Sequence, residues 1–109
     1  MNKLFIDTVN APEAIKSQLK VLAQDIMFTR EVTKGGNGYL FFGDNRILQT
    51  HVAVKFYYWG GDHRFHAEPS TLASITSPHI LPVYNAGLLD GDWAYFVGSP
   101  RFRWKPGVS

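Results

Sequence analysis

The chain has 109 residues, no cysteine and a formal net charge of +2. This length suits one small domain with a modest core, and the lack of cysteine excludes disulfides and thiolate zinc sites. The charge is too small to indicate nucleic acid or an acidic membrane as a partner, and no apolar run approaches the roughly 20 residues that span a bilayer. We therefore expect a soluble, cytoplasmic domain.

The first predicted element is an amphipathic helix over residues 11–26. Asn10 is a candidate N-cap, Pro12 fits the first turn, and Glu13 falls where a capping-box carboxylate belongs. Apolar residues then recur at helical spacing along one face. This face is expected to cover a sheet, and binding to a partner is the alternative.

Five strands and a second helix follow. The predicted strands, which are rich in branched and aromatic residues, span residues 28–33, 39–42, 47–58, 81–89 and 93–97. Residues 43–46 (GDNR) have the composition of a turn, and Asp90-Gly91 predicts a hairpin between the last two strands. Asp62 is a candidate cap for a helix that continues to about residue 75. This order predicts an α+β fold, with a five-stranded antiparallel sheet, one inserted helix and the N-terminal helix before it.

Two stretches of this predicted sheet have the composition of a phosphate clamp. Residues 33–40 (TKGGNGYL) place three glycines in a turn, whose backbone N–H groups can approach an anion closely. Residues 51–56 (HVAVKF) carry one lysine, Lys55, in an apolar strand, where burial would require a partner. Glu68 on the candidate helix can supply that carboxylate. A hairpin that uses glycine only for its turn geometry is the alternative.

The order of these motifs resembles the N-terminal lobe of a protein kinase, and it is most similar to bacterial Ser/Thr kinases of the eukaryotic type. The glycine loop is followed by residues 52–55 (VAVK), by the helical glutamate and by residues 77–84 (SPHILPVY). The resemblance covers residues 28–98, which we treat as a lobe-like domain. Residues 1–27 form an N-terminal extension, and residues 99–109 form a hinge-like basic and aromatic tail.

The resemblance implies that ATP is the ligand, with magnesium supplied by the nucleotide and no metal site in the protein. Lys55 would contact the phosphates and pair with Glu68 as the catalytic pair. Leu40 and Ala53 would enclose the adenine ring, and Gly98 falls near the gatekeeper position. The implied nucleotide-binding residues are Gly35, Gly36, Asn37, Gly38, Leu40, Ala53, Lys55, Ser99 and Arg101.

The sequence also departs from that family. Thr33 stands where the first loop glycine is usual, and Pro69 directly follows the candidate glutamate. A proline inside a helix costs about 3 kcal/mol or more, so we expect the helix to kink near Pro69 or to begin there. The catalytic-loop aspartate and asparagine and the magnesium-binding aspartate that phosphoryl transfer needs have no counterpart in the sequence. Alone, the chain should not be an active kinase.

Three functional hypotheses stay open at this point. The chain is the nucleotide-binding lobe of a kinase-like protein that needs a second lobe, a standalone protein-binding module (adaptor, inhibitor or pseudokinase-like regulator), or an inactive truncated kinase. The exposed lobe face predicts a protein partner or self-association, without a membrane. The tail at residues 101–105 (RFRWK) could stack on nucleic acid, but the small net charge disfavours that partner. A metal site at His63 and His66 lacks a third ligand.

Overall fold

The computed structural model describes residues 10–32, 38–67, 69–70 and 83–100. Helix α1 spans Glu13–Leu22. Strands β1 to β5 span Ile26–Val32, Gly38–Asn45, Thr50–Tyr58, Val83–Leu89 and Trp93–Gly98. A short 3-10 helix at His63–His66 lies between β3 and β4. The strands form one antiparallel sheet in the order β1-β2-β3-β5-β4, which confirms the predicted α+β fold.

Helix α1 covers one face of this sheet. Its two fully buried side chains, Ile15 and Leu19, join a core built from strand residues that point to the helix, namely Ile26, Phe28, Phe41, Val52, Val54, Phe56, Tyr95 and Val97. Burial of the two α1 side chains stabilises the fold by about 1.5–3 kcal/mol each. The apolar face predicted for the helix therefore packs on the sheet.

The limits of α1 differ from the predicted ones. The helix begins at Glu13, because Pro12 has an extended backbone (φ −56°, ψ 152°) and occupies the N-cap position. Two amide groups of the first turn donate to the carbonyl oxygen of Pro12 at 3.0 Å. The prediction of Asn10 as the N-cap is therefore wrong. The helix ends at Leu22, four residues before the predicted end, since Ile26 already starts β1.

The turn between β2 and β3 lies later than the sequence predicts. Residues 43–45 continue β2, and the turn comprises residues 46–49. Gly43 pairs with Phe28 of β1, and the position requires glycine because a Cβ atom there would lie 2.7 Å from the carbonyl oxygen of Met27. Asn45 is the last residue of β2 and caps the turn, because its side-chain oxygen accepts hydrogen bonds from the amide groups two and three residues later, at 2.9 and 2.8 Å.

The segment after β3 starts as a 3-10 helix, not as the α-helix predicted from residue 62. Asp62 caps it as predicted, and its carboxylate accepts the backbone N–H of Arg64 at 3.0 Å. The backbone is α-helical at Ala67 and again at Pro69 and the residue after it. This agrees with a helix that begins close to its proline, where the missing N–H has no cost. Glu68 and residues 71–82 lie outside the described residues.

Candidate functional site

The sheet face opposite α1 carries the predicted lysine. We call it the lysine face and define it by seven strand residues: Leu40, Phe42, Ala53, Lys55, Tyr57, Phe96 and Gly98. In an antiparallel sheet, directly paired residues point to the same side. Leu40 pairs with Lys55, and Lys55 pairs with Phe96. The pairing of strands therefore brings together residues that are far apart in the sequence.

A second row of pairs lies beside the first. Phe42 pairs with Ala53, Ala53 pairs with Gly98, and Gly98 pairs with Val83. Ala53 lies two residues before Lys55 on β3, which corresponds to about 7 Å along the strand. The middle of this row has one methyl group and one glycine, so it is the flattest part of the lysine face.

The lysine face is covered in the structure. Leu40 is 5% exposed and Ala53 is 0% exposed, and both belong to a cluster with Phe96. Phe42 is partly buried against the same cluster. Lys55 is half-buried, as expected for a lysine whose stem packs on apolar neighbours. A planar ligand could contact Ala53 only if the groups that cover it moved aside.

Gly38 has a structural role that requires no ligand. It is the first residue of β2 and pairs with Tyr57 of β3. A Cβ atom at Gly38 would lie 2.4 Å from the carbonyl oxygen of Phe56. Because this neighbour is backbone, it cannot rotate away, so the two strands can approach this closely only with glycine at this position.

The other predicted site residues divide into two groups. Ser99 follows β5 and is buried, 5% exposed. The remaining predicted positions lie outside the described residues, and they are Gly35, Gly36, Asn37, Glu68 and Arg101. The structure therefore brings Gly38, Leu40, Ala53 and Lys55 onto neighbouring positions of β2 and β3, and the predicted Lys55–Glu68 pair stays a prediction.

An aromatic and histidine cluster extends the lysine face beyond Lys55. The Tyr57 hydroxyl and Nδ1 of His66 lie 2.7 Å apart. The ring centroid of His66 lies 4.8 Å from that of Trp59, and the ring centroid of His63 lies 5.4 Å from that of Trp59. Sequence reasoning missed Tyr57 and Trp59, although the two-residue periodicity of β3 from Lys55 onward was an available signal.

These contacts bear on the hypothesis of a metal site at His63 and His66. His63 and His66 have ring centroids 5.8 Å apart, and both pack against Trp59. Within the described residues, no three His, Cys, Asp or Glu side chains are grouped closely enough to hold a metal ion. The contacts described for these histidines are ring packing around Trp59 and, for His66, the hydrogen bond with Tyr57.

One ion pair alters the ionisation of its members. The Arg64 guanidinium donates to both carboxylate oxygens of Asp62, at 2.7 to 3.1 Å. The hydrogen bonds from the Arg64 side chain and backbone lower the pKa of Asp62 to about 2, and the carboxylate raises the pKa of Arg64. Both groups are at the surface, and Asp62 caps the 3-10 helix that contains Arg64, so this pair is structural.

No protein-family model and no curated protein matches the chain. Among the residues that the structure describes, no helix is long and apolar enough to cross a membrane.

Proposed function

We propose that the lysine face binds ATP, and that the chain is the nucleotide-binding lobe of a cytoplasmic Ser/Thr protein kinase-like protein. One observation carries this proposal. The strand register places Leu40 directly opposite Lys55, and Ala53 lies two residues away on the same face. The residues that the kinase resemblance assigns to the base and to the phosphates are therefore neighbours in the fold.

The order of groups along the face matches the order of groups in the ligand. The flat row at Ala53 and Gly98 suits a planar base, and the Lys55 ammonium group suits phosphate oxygens one step further along β3. The next position, Tyr57, pairs with Gly38. Gly38, the last glycine of the predicted glycine-rich motif, therefore lies at the phosphate end of the proposed site.

The proposed activity is binding without catalysis by this chain alone. The sequence has no counterpart of the catalytic-loop and magnesium-binding motifs of kinases. Phosphoryl transfer would need a second lobe or a partner chain that supplies those groups. Because Leu40 and Ala53 are buried, part of the binding free energy would be used to move neighbouring side chains, which lowers the affinity.

A thermal-shift titration with Mg-ATP tests this proposal. A ligand that binds only the native state stabilises it by about 2.7 kcal/mol at a hundredfold excess over its dissociation constant. We expect wild type to show a dose-dependent rise in melting temperature and Lys55→Ala to lose it. Lys20→Ala is the matched control, because Lys20 is exposed at the end of α1 and should keep the response.

Two results would contradict the proposal. The first is the absence of any shift at millimolar Mg-ATP in wild type. The second is an equal loss of the shift in the Lys55 and Lys20 variants, which would indicate binding through general positive charge. The shift in melting temperature is measured for each variant against its own ligand-free melt, so a lower stability of Lys55→Ala without ligand does not change the comparison.

A protein-binding module is the second candidate, and the turn between β2 and β3 favours it. Ile47 is 74% exposed and Leu48 is 53% exposed. Asn45 fixes their amide groups, and the Arg46 side chain donates to two carbonyl oxygens of the α1–β1 turn, at 3.0 and 3.4 Å. A preorganised apolar turn suits a protein partner. This candidate would be supported by a melting temperature that does not change with Mg-ATP, together with binding to a protein partner that is lost when Leu48 is replaced.

A further inference from the structure

Strand β4 forms one edge of the sheet and pairs with β5 on one side. Within the described part of the chain, no strand flanks its other side. An edge strand presents backbone N–H and C=O groups that pair readily with another extended segment, so proteins usually guard edges with charges, prolines or bulges. The two edges of this sheet differ in those guards.

The opposite edge, β1, is guarded. It carries Arg30 and Glu31, and its pairing with β2 is interrupted between Phe28 and Arg30. Strand β4 (VYNAGLL) has neither charge nor proline. Its one irregularity lies at its start, between Val83 and Asn85, and the pairing is regular from there to the end of the strand.

The exposed side chains of β4 are uncharged, and they are Tyr84, Asn85, Ala86 and Leu88. Leu88 is 65% exposed, and Ala86 is also exposed. Ala86 pairs with Phe96, which neighbours Lys55, so Ala86 and Leu88 point to the lysine-face side of the sheet. A large exposed apolar side chain near the end of an uncharged edge strand is a composition that suits strand addition.

We propose that β4 pairs with β4 of a second copy of this chain in an antiparallel, two-fold symmetric arrangement. A symmetry axis beside Gly87 would place Leu88 of each copy against Ala86 of the other. Because β4 has no charged residue, self-pairing brings no like charges together, and the large residue of each copy meets the small residue of its partner. The seven residues that define the lysine face are not part of this contact.

Asn85 sets the strength of this pairing. Its side-chain oxygen accepts the backbone N–H of Ala86 at 2.9 Å, so this donor is already occupied when an incoming strand arrives. Pairing must exchange this local hydrogen bond for one between strands. Asn85→Ala frees the donor and should therefore tighten the dimer.

Light scattering and sedimentation across a range of protein concentrations test the proposal. We expect wild type to form a reversible dimer. Leu88→Lys places two ammonium groups beside the symmetry axis and should raise the dimer dissociation constant about tenfold or more. Leu48→Lys makes the same chemical change at the exposed β2–β3 turn and should leave the dimer unchanged.

Hydrogen exchange gives a second readout that needs no variant. The amides of Ala86 and Leu88 should become more protected as concentration rises, because they lie at the proposed axis. A wild type that stays monomeric at all concentrations would overturn the proposal, and so would a dimer lost in Leu48→Lys but kept in Leu88→Lys. A dimer that weakens in Asn85→Ala would also contradict it. None of these measurements depends on nucleotide binding, so this proposal and the proposed function can fail separately.

Discussion

Replacement of Gly38 by alanine separates a structural role of this glycine from a ligand-binding role. The added Cβ atom would lie 2.4 Å from the carbonyl oxygen of Phe56, far below a normal contact, so β2 and β3 must move apart. Alanine also restricts the unfolded chain, which by itself favours folding by about 0.4–1 kcal/mol. The clash should outweigh this gain, because the neighbouring atom belongs to a backbone held in the sheet.

The expected loss is about 1–3 kcal/mol, the usual cost of overpacking a well-packed site. For a domain of this size, 1 kcal/mol corresponds to roughly 4–8 °C in melting temperature. Gly87→Ala is the matched control. Its Cβ atom would also be too close to a neighbour, at 2.7 Å, but that neighbour is the far end of the Tyr95 side chain and not a backbone atom, so its relief does not require two strands to separate.

Thermal melts without nucleotide measure both variants. We expect Gly38→Ala to melt several degrees below wild type and below Gly87→Ala. If Gly38 served only to let a phosphate approach, the ligand-free melt would be unchanged or slightly raised, and only the nucleotide response would suffer. That outcome, or equal melting of the two variants, would refute the close-packing argument.

Three further predictions concern the core, the β2–β3 turn and the 3-10 helix. Phe56→Ala should cost about 3–5 kcal/mol in urea unfolding because Phe56 is fully buried, whereas Tyr58→Ala at the exposed end of β3 should cost under about 1 kcal/mol. Arg46→Ala removes two hydrogen bonds to the α1–β1 turn and should cost about 1 kcal/mol, with faster hydrogen exchange in that turn. The Asp62 pKa of about 2 lies below its usual 3.8, so this carboxylate stabilises the fold above pH 3.8 and loses that effect as pH falls towards 2. Titration by NMR should show the Asp62 pKa returning towards 3.8 in Arg64→Ala.

The elements with strong periodicity were predictable from the sequence. Strand β3 alternates its side chains between two covered faces, and α1 repeats its apolar residues every three or four positions. The end of β2 and the start of the β2–β3 turn were predicted wrongly because single residues have more than one structural use. Glycine and asparagine favour turns, but Gly43 serves close strand contact and Asn45 caps a turn that starts after it. Whether such a residue lies in a strand or in a turn depends here on the position of β1, and the sequence around residues 43–46 carries no information about that position.

The same ambiguity limited the prediction of the site. A tight turn at residues 43–46 would pair residue 43 with residue 46, and therefore Leu40 with Gln49. The structure pairs Asn45 with Thr50, which shifts the register and places Leu40 opposite Lys55. The kinase resemblance assigned Leu40 and Lys55 to one ligand without any knowledge of this register. Local turn composition alone would have separated them.

The proposed dimer fixes the distance between its two lysine faces. Antiparallel pairing of β4 with its copy keeps both lysine faces on the same side of one continuous sheet. Lys55 lies on β3, and the strand order places β5 and β4 between it and the symmetry axis. The two Lys55 residues are then separated by five strand spacings of about 4.8 Å, which is at least about 24 Å.

This distance decides whether nucleotide and dimer formation influence each other. Charges at the surface are screened over about 8–10 Å at physiological salt, so phosphates bound at two Lys55 residues would scarcely repel each other. The contact at Ala86 and Leu88 also shares no residue with the proposed base and phosphate positions. We therefore expect the dimer dissociation constant, measured by sedimentation, to be the same with and without saturating Mg-ATP. By reciprocity of linkage, Leu88→Lys should bind nucleotide as wild type does. A change of tenfold in either constant would mean that the two surfaces are coupled, and the strand-addition geometry would then be wrong.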